Sequence, residues 1–524
     1  MITLATVLLL LAVVLPLIVV GLTMRLWDAA KRLRVFGGSA WVSVGLCLVS
    51  GVLSHGGTML LSASDGFRFL SFMLSPLTIV LVGLFNTVGG VLGSYSARYL
   101  QGDREADGFL RSAVLVIAAM GLVATAGNLQ LLIMAWIIAG IAFVRTLSYR
   151  AELVRARIGA LRLLRTLGVA DLPLLLAGVY LTGHIGVIQL GNQRWGSRLV
   201  SQLHPVAVGL IALAIAVAAL ARCAQMPFHR WLPGTLEAPT PTSALLHAGV
   251  VNGGGVLLLR LAPFDATSRL AMIVLLVSAS LGAIYGSLVA RRRVDYKGGL
   301  VFSTMAQMGF MVAEIAVGAY LAAIAHLIGH ALYKAHLFLS SGSPIVRPGV
   351  RLRRQGVPMR TASTVLIAAT MAILATAIFA AMPHARSHRG AVVLLVFVAA
   401  AAFAVNERWW KHASMTLRVV LVWIVLMGLW AAGYGIATGL VDRWIGSLVP
   451  IDHRGVLPVA SLILIAVGIL VAESAARFSW GNRVLTSMSR NSVRTLAPSR
   501  HLPWSFRRGT RTLVMPSLQA VVHQ

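Results

Sequence analysis

Fifteen stretches of this chain stay apolar over about 17–25 residues, the length of helix that crosses a bilayer. They fall at 4–22, 38–61, 69–93, 111–127, 129–147, 168–189, 204–222, 240–262, 270–290, 298–319, 321–341, 362–382, 390–406, 417–439 and 456–473. Backbone amides inside hydrocarbon must be satisfied within the chain, so these runs specify helices. The expectation is an all-α polytopic membrane protein with about 14 to 16 transmembrane helices. Of the 524 residues only 11% are charged, against about 25% in a soluble protein. Residues 1–473 therefore read as one membrane domain and 474–524 as a basic tail. Two cysteines, Cys47 and Cys223, exclude both a disulfide framework and a cysteine-rich metal site. Met1 to Leu22 has neither a basic leader nor a small-residue cleavage site, so it reads as a retained first span.

The net charge of +30 follows a pattern along the chain. Basic residues crowd the connections 23–37, 145–167, 291–297 and 343–361, and the intervening connections are poorer. The crowded ones all follow an odd number of crossings. The positive-inside rule then puts the N-terminus outside and the C-terminus in the cytoplasm of a bacterial inner membrane. The tail carries eight arginines and no acid. It fits a solvated segment beside anionic lipid headgroups, or a docking segment for an acidic cytosolic partner.

Within this apolar sequence, Arg222 to Leu261 stands apart. Pro227, Pro233, Pro239 and Pro241 interrupt it. Proline removes a backbone donor, and a broken helix is tolerated in lipid only where protein or a water-lined cavity satisfies the freed groups. The stretch predicts a discontinuous transmembrane helix around 222–240, with 204–222 and 240–262 as its two halves. Such breaks serve ion-handling sites. Arg222, Glu237 and His247 lie at or near this one. Glu237 reads as a helix-end cap, a partner for an arginine, or part of the site.

The second constellation is AAIAHLIGHALYKAHLFLSSGS, from Ala322 to Ser343. His326, His330 and Lys334 are four residues apart and share one helix face. A charge at the membrane centre costs at least about 2.5–3.5 kcal/mol, so a row of three titratable groups implies a hydrated path. Lysine is scarce here, with only Lys31, Lys297, Lys334 and Lys411, and arginine is used wherever plain charge suffices. Lysine can release a proton where arginine cannot. The row therefore reads as a proton relay, and Lys297 opens the preceding span. Asp171 enters the span 168–189 and suits an ion pair or a proton role equally. Asp295 is expected to orient Lys297 or a neighbouring arginine. Glu314, inside 298–319, is a further candidate. A metal site at His326 and His330 lacks a third ligand, so none is expected. Without a P-loop, a dinucleotide fingerprint or a CxxC cluster, no cofactor is expected, and the chain is no redox enzyme by itself.

Three motifs now bear on family. AQMPFHRWLPGTLEAPTPTSALLHAG, DYKGGLVFSTMAQMGFM and HLIGHALYKAHLFLSSGS, in that order and spacing, resemble the proton-conducting antiporter-like family. That family includes the largest antiporter-like membrane subunit of respiratory complex I and the Mrp cation/proton antiporter subunits. YSARYLQGD from Tyr95 and NLQLLIMAW from Asn128 extend the likeness, which covers roughly 70–345. The resemblance implies the antiporter-like fold and an ion path through His247, Lys297, His326, His330 and Lys334. Among members, the variants are most similar to membrane subunits of two-part inorganic carbon pumps. Their partner resembles a zinc β-carbonic anhydrase, so zinc is expected in the partner and none in this chain. Complex I subunits carry a Glu directly after the Trp of the fifth span, paired with a lysine at the helix break. Here Ile137 follows Trp136 and Arg222 takes the lysine's place, so the resemblance implies that the paired carboxylate is lost. The residues after Glu473 also leave no room for the long lateral helix of complex I. Both departures favour a smaller complex working in transport rather than as an enzyme.

Overall fold

The computed structural model describes residues 1–341 except 26, 63–68, 150–153, 192–194, 237, 266 and 294, plus isolated positions 425, 429, 433, 436 and 487. Glu237, the arginine-rich stretch 343–361, and all else of the later spans and tail lie outside the described residues.

Each apolar run up to residue 341 is helical over most of its length, the run 69–93 only from Pro76 onward. The helices are α1 (Ile2–Thr23), α2 (Ala29–Ser54), α3 (Pro76–Tyr99), α4 (Ala106–Thr125), α5 (Leu129–Ser148), α6 (Val154–Ile185), α8 (Pro205–Arg222), α9 (Thr240–Leu245) running on into α10 (Gly253–Asp265), α11 (Arg269–Arg292), α12 (Tyr296–Ala316) and α13 (Tyr320–Ser340). Ten described segments are long and apolar enough to span a bilayer. The chain is a multi-pass membrane protein. α13 is as long, but His326, His330, Lys334 and His336 reduce its apolarity. Local capping sets several starts. Asp28 accepts from the Lys31 amide at α2, Asn128 from Leu131 at α5, and Asp295 from Gly298 at α12. At α3, Ser75 and Thr78 form a reciprocal capping box with Pro76 in the first turn.

Several expected boundaries are corrected. α2 begins at Ala29 and α6 at Val154, so Lys31, Arg32, Arg34, Arg157, Arg162 and Arg165 are helical rather than in connections. Long basic side chains can reach the interface from a helix end, which is why they resemble loop residues in sequence. The expected run 38–61 ends early at Ser54, and an all-α reading overlooks the antiparallel hairpin of β1 (Met59–Ser62) and β2 (Ser71–Leu74). A short helix α7 (Trp195–Gln202) also forms. α4 and α5 are separated at Ala126–Asn128. There Phe72 pairs with Ala126 and Asn128 with Gln189. Arg260 of α10, buried, donates to the Ala126 carbonyl and reaches Met73 Sδ at 3.4 Å. A guanidinium on the last carbonyls of α4 complements the negative end of its dipole. It also ties hairpin, α4 and α10 together on the face that carries the N-terminus.

The interrupted helix is present, with a different division. α8 ends at Arg222. Gln225 N–H donates to Leu220 O and Ala224 N–H to Ala221 O, with Ala224 in the left-handed region at φ 53°. This is a Schellman-type stop with alanine where glycine is usual. The crossing continues as a 3-10 helix, Phe228–Thr235, packed under α6, where a Cβ on Gly159 would lie 2.8 Å from Gly234 O. The chain returns through α9, a π-helical turn at Leu246–Val250, and α10. So 204–222 and 240–262 belong to two successive crossings, each interrupted, rather than to two halves of one. Gln225 holds the first break in place by donating to Cys223 O (2.8 Å) and Met305 O (3.0 Å).

α8 and α10 approach closely beside the break. A Cβ on Gly254 would sit 2.3 Å from Ala219 O. Gly254→Ala is therefore expected to lower stability by about 1–3 kcal/mol through overpacking. Gly183→Ala, in open space on α6, should be neutral or stabilising. Thermal midpoints of the two purified variants check this; equal midpoints would refute the close approach.

Candidate functional site

Two buried polar clusters occupy the middle of the bundle. In the first, Arg222 at the end of α8 is fully buried and lies 3.3 Å from Asp171 Oδ2 on α6. Its Nη2 also donates to Trp136 O at 3.3 Å, and its guanidinium carbon sits 3.9 Å from the Trp136 ring centroid. Trp136 Nε1–H donates to Asp171 Oδ1 at 2.9 Å. The expected loss of the paired carboxylate is corrected: Ile137 is no acid, yet Asp171 brings one to the same guanidinium. α5 and α6 pack side by side, so a residue far along the chain reaches the Trp136 level. A cation and carboxylate so placed cancel in net charge, the condition under which ions persist away from water.

The second cluster follows α13. His326, His330 and Lys334 share one face, with the two imidazole centroids 6.3 Å apart. His326 Nδ1 lies 3.1 Å from Glu314 Oε1, and its Nε2 lies 2.9 Å from Gln307 Oε1. Both ring nitrogens face acceptors, which suits an imidazolium beside a carboxylate. His330 Nδ1 lies 3.1 Å from Asn252 Oδ1. Asn252 Nδ2 donates to Ala248 O at 2.7 Å, which fixes its amide and leaves Oδ1 to accept. The proton of neutral His330 is therefore on Nδ1, and Nε2 keeps its lone pair. Lys334, almost fully buried, donates to Ser303 Oγ (2.9 Å) and Leu300 O (3.2 Å). Neither partner carries a charge.

His247 sits in the π-helical turn, stacked on Phe338 of α13 with centroids 4.4 Å apart. Its Nε2 is 3.4 Å from Thr235 Oγ1, whose hydroxyl already donates to Leu232 O. His247 therefore donates from Nε2, and Nδ1 keeps its lone pair. Both free nitrogens, His247 Nδ1 and His330 Nε2, are buried without a partner among the described residues. π-turns are frequent at functional sites, and this one presents the imidazole to α13. The clusters adjoin through two consecutive residues. Asn252 holds His330, and next to it a Cβ on Gly253 would lie 3.5 Å from the Arg222 Cγ.

Lys297 lies at the opposite end of α12 and donates to Ala238 O, just beyond the 3-10 helix. Of the two partners expected for Asp295, the neighbouring arginine is the one it meets: it caps α12 and pairs with Arg293. Glu314 is the carboxylate of His326, and Asp171 is an ion-pair partner. Sequence reasoning missed Asn252, Gln307, Ser303 and Thr235. Neutral hydrogen-bonding side chains carry no spacing signal, although the glycines after Asn252 mark a second break.

His229, in the 3-10 helix, packs edge-on against Tyr285 with centroids 5.3 Å apart.

The arrangement of an interrupted helix with a buried ion pair, beside a polar row on a later helix, defines an antiporter-like membrane subunit. Residues 126–420, more than half of the chain, match the model of the NADH:quinone oxidoreductase/Mrp antiporter transmembrane family, and the chain belongs to that family. It is 38% identical over 288 residues to the probable inorganic carbon transporter subunit DabB2 of Halothiobacillus neapolitanus, over 54% of this chain and 51% of that protein. It thus spans about half the length of the curated relatives it matches. Among solved structures it is similar to the Mrp complex from Dietzia sp. DQ12-45-1b, with TM-score 0.59 and 25% identity over 92% of this chain and 52% of that one. Respiratory complex I from Thermus thermophilus shares the fold, with TM-score 0.55 and 19% identity over 93% and 99%.

Proposed function

We propose that this chain is the cation-conducting subunit of an energy-coupled inorganic carbon uptake complex. The row His326–His330–Lys334, partly buried at His326 and buried at the other two, with a polar partner for each member, is the observation that carries the reading. Lys334 releases a proton to an imidazole nitrogen that holds a lone pair, either His330 Nε2 or His247 Nδ1. His326, with Glu314, ends the row near the N-terminal face. Lys297 is the charge at the opposite end. Arg222, paired with Asp171, acts as a fixed field rather than a carrier, because arginine keeps its proton. Protons, or sodium ions, moving down their gradient would drive CO2 hydration to bicarbonate in a DabA-type, zinc carbonic-anhydrase-like partner. That partner docks on the basic cytoplasmic face, and the N-terminus lies outside the inner membrane.

The names of the DabB relatives support carbon transport. The fold likeness to Mrp and complex I supports a second reading, a proton-translocating subunit of a respiratory or Mrp-type assembly. The test is growth in air of a carbonic-anhydrase-null bacterial host. The chain is expressed alone, with a DabA-like partner, and with that partner plus a protonophore. Rescue only with the partner, abolished by the protonophore, is expected. Failure in every combination, together with restored salt resistance in an antiporter-deficient host, favours the second reading.

A further inference from the structure

Gln225, three residues past Arg222, belongs to neither cluster, yet it holds the helix that serves one of them. It is fully buried, and its amide donates to Cys223 O (2.8 Å) and to Met305 O of α12 (3.0 Å). Both amide hydrogens are used, so Oε1 points the other way. That oxygen has no hydrogen-bond partner among the described residues. Two glycines make room for it. A Cβ on Gly309 of α12 would lie 2.9 Å from Oε1, and the three nearest atoms that a Cβ on Gly282 of α11 would meet all belong to the Gln225 amide. A buried acceptor left unpaired costs free energy that an apolar side chain of the same shape would not. The following carbonyl, Met226 O, accepts from Ser278 of α11, so the break is fastened to both helices.

Met305 lies among the residues that serve the row. Leu300 and Ser303 hold Lys334, and Gln307 meets His326. These three are spaced by three and four and share one side of α12. Met305 is turned about 200° from Ser303 and from Gln307, and Gly309, one turn beyond it, lies on the same side as Met305. α12 therefore stands between the break and the row, with Gln225 behind it and α13 in front.

We infer that Gln225 is a positioning residue for conduction: through α12 it keeps Leu300, Ser303 and Gln307 in register with the row, and so ties the break at Arg222 to the hold on Lys334. The inference rests on the conducting role proposed above. Its amide is bonded to its own backbone at Cys223 O, so it follows the end of α8 and not α12 alone. Over two turns a helix moves as a rigid element, and a shift at Met305 carries Leu300 and Ser303 with it.

The full chain, expressed with a DabA-like partner in membrane vesicles, is read by the collapse of an imposed pH gradient, with thermal midpoints to confirm folding. Gln225→Met keeps the volume and removes both donors. Gly282→Ala leaves Gln225 in place and displaces its amide, and it carries the test if the first variant fails to fold. Each is expected to slow the collapse at least about tenfold, since a misplacement of about 1 Å at a reacting centre can cost about a hundredfold. Combined with Ser303→Ala, neither should slow it beyond the slower single variant, because all three loosen the same hold on Lys334. Ser50→Ala, which removes a buried hydrogen bond to Ala5 O between α2 and α1, should leave the rate unchanged. Rates at the intact value in both variants, or losses that multiply with that of Ser303→Ala, would overturn the inference and leave conduction standing. A gradient that the intact chain collapses no faster than vesicles lacking it would sink the conducting role itself, and the inference with it.

Discussion

Lys334→Ala and Lys334→Arg are both expected to abolish the growth in air that the intact chain with its proposed partner should restore to a carbonic-anhydrase-null host. Alanine removes the proton carrier. Arginine keeps the positive charge and can still reach Ser303 Oγ and Leu300 O, but it does not release a proton. The arginine variant therefore separates charge from proton transfer. Loss of a positioned proton-transfer group typically costs about 10²–10⁴-fold, so carbon uptake should fall by at least about a hundredfold in either variant. His330→Ala should behave alike, because it removes the lone pair that Asn252 orients toward the relay. Asn252→Ala leaves the imidazole in place without fixing its tautomer, and an intermediate loss is expected. Uptake that survives both Lys334→Ala and His330→Ala would eliminate the row as the path.

Asp171→Asn is expected to destabilise the folded chain by about 3–5 kcal/mol, since it strands a fully buried guanidinium without its carboxylate. Arg222→Met alone leaves an unpaired buried carboxylate and should cost a similar amount. The double variant Asp171→Leu with Arg222→Met replaces both ions by apolar groups and should recover most of the loss. Thermal midpoints of the purified single and double variants test this coupling. Additive losses would mean that the pair does not act as a unit. Because the double variant is stable, its transport activity then reports on the fixed field itself. Lost uptake with restored stability would assign the pair an electrostatic role. Trp136→Phe retains a ring beneath the guanidinium but removes the indole N–H that binds Asp171, so a smaller cost, about 1–3 kcal/mol, is expected.

Much of the fold was legible because the constraint was severe. Each apolar run up to residue 341 reappears as helix over most of its length, and the prolines beyond Arg222 correctly marked an interruption. Errors gathered where one residue type has two physical roles. Arginines in the first turns of α6 resembled a connection, because a guanidinium on a helix end and one in a loop both reach the interface. The alignment of His326, His330 and Lys334 was readable, since helical spacing alone places them on a common face. Their partners were not, because Glu314, Gln307, Ser303 and Asn252 come from other helices.

Asp171 shows the same limit most clearly. The neighbouring position 137 suggested that a carboxylate had been lost, whereas the packing of α5 on α6 supplies one from 35 residues further along. The π-helical turn under His247 was equally invisible, since the segment Thr240–Phe264 is buried all round and carries no apolar stripe for an extra residue to shift.

The sequence by itself determined that the chain is helical and membrane-spanning, where its early crossings lie, where one is interrupted, and that its titratable residues form a row on one helix. These follow from hydrocarbon length, proline chemistry and helical period, all of which act locally. Only the tertiary structure decided which carboxylate meets Arg222 and which nitrogen of each histidine holds the free lone pair. Those outcomes depend on distances between helices far apart in sequence, and nothing in local composition encodes such distances.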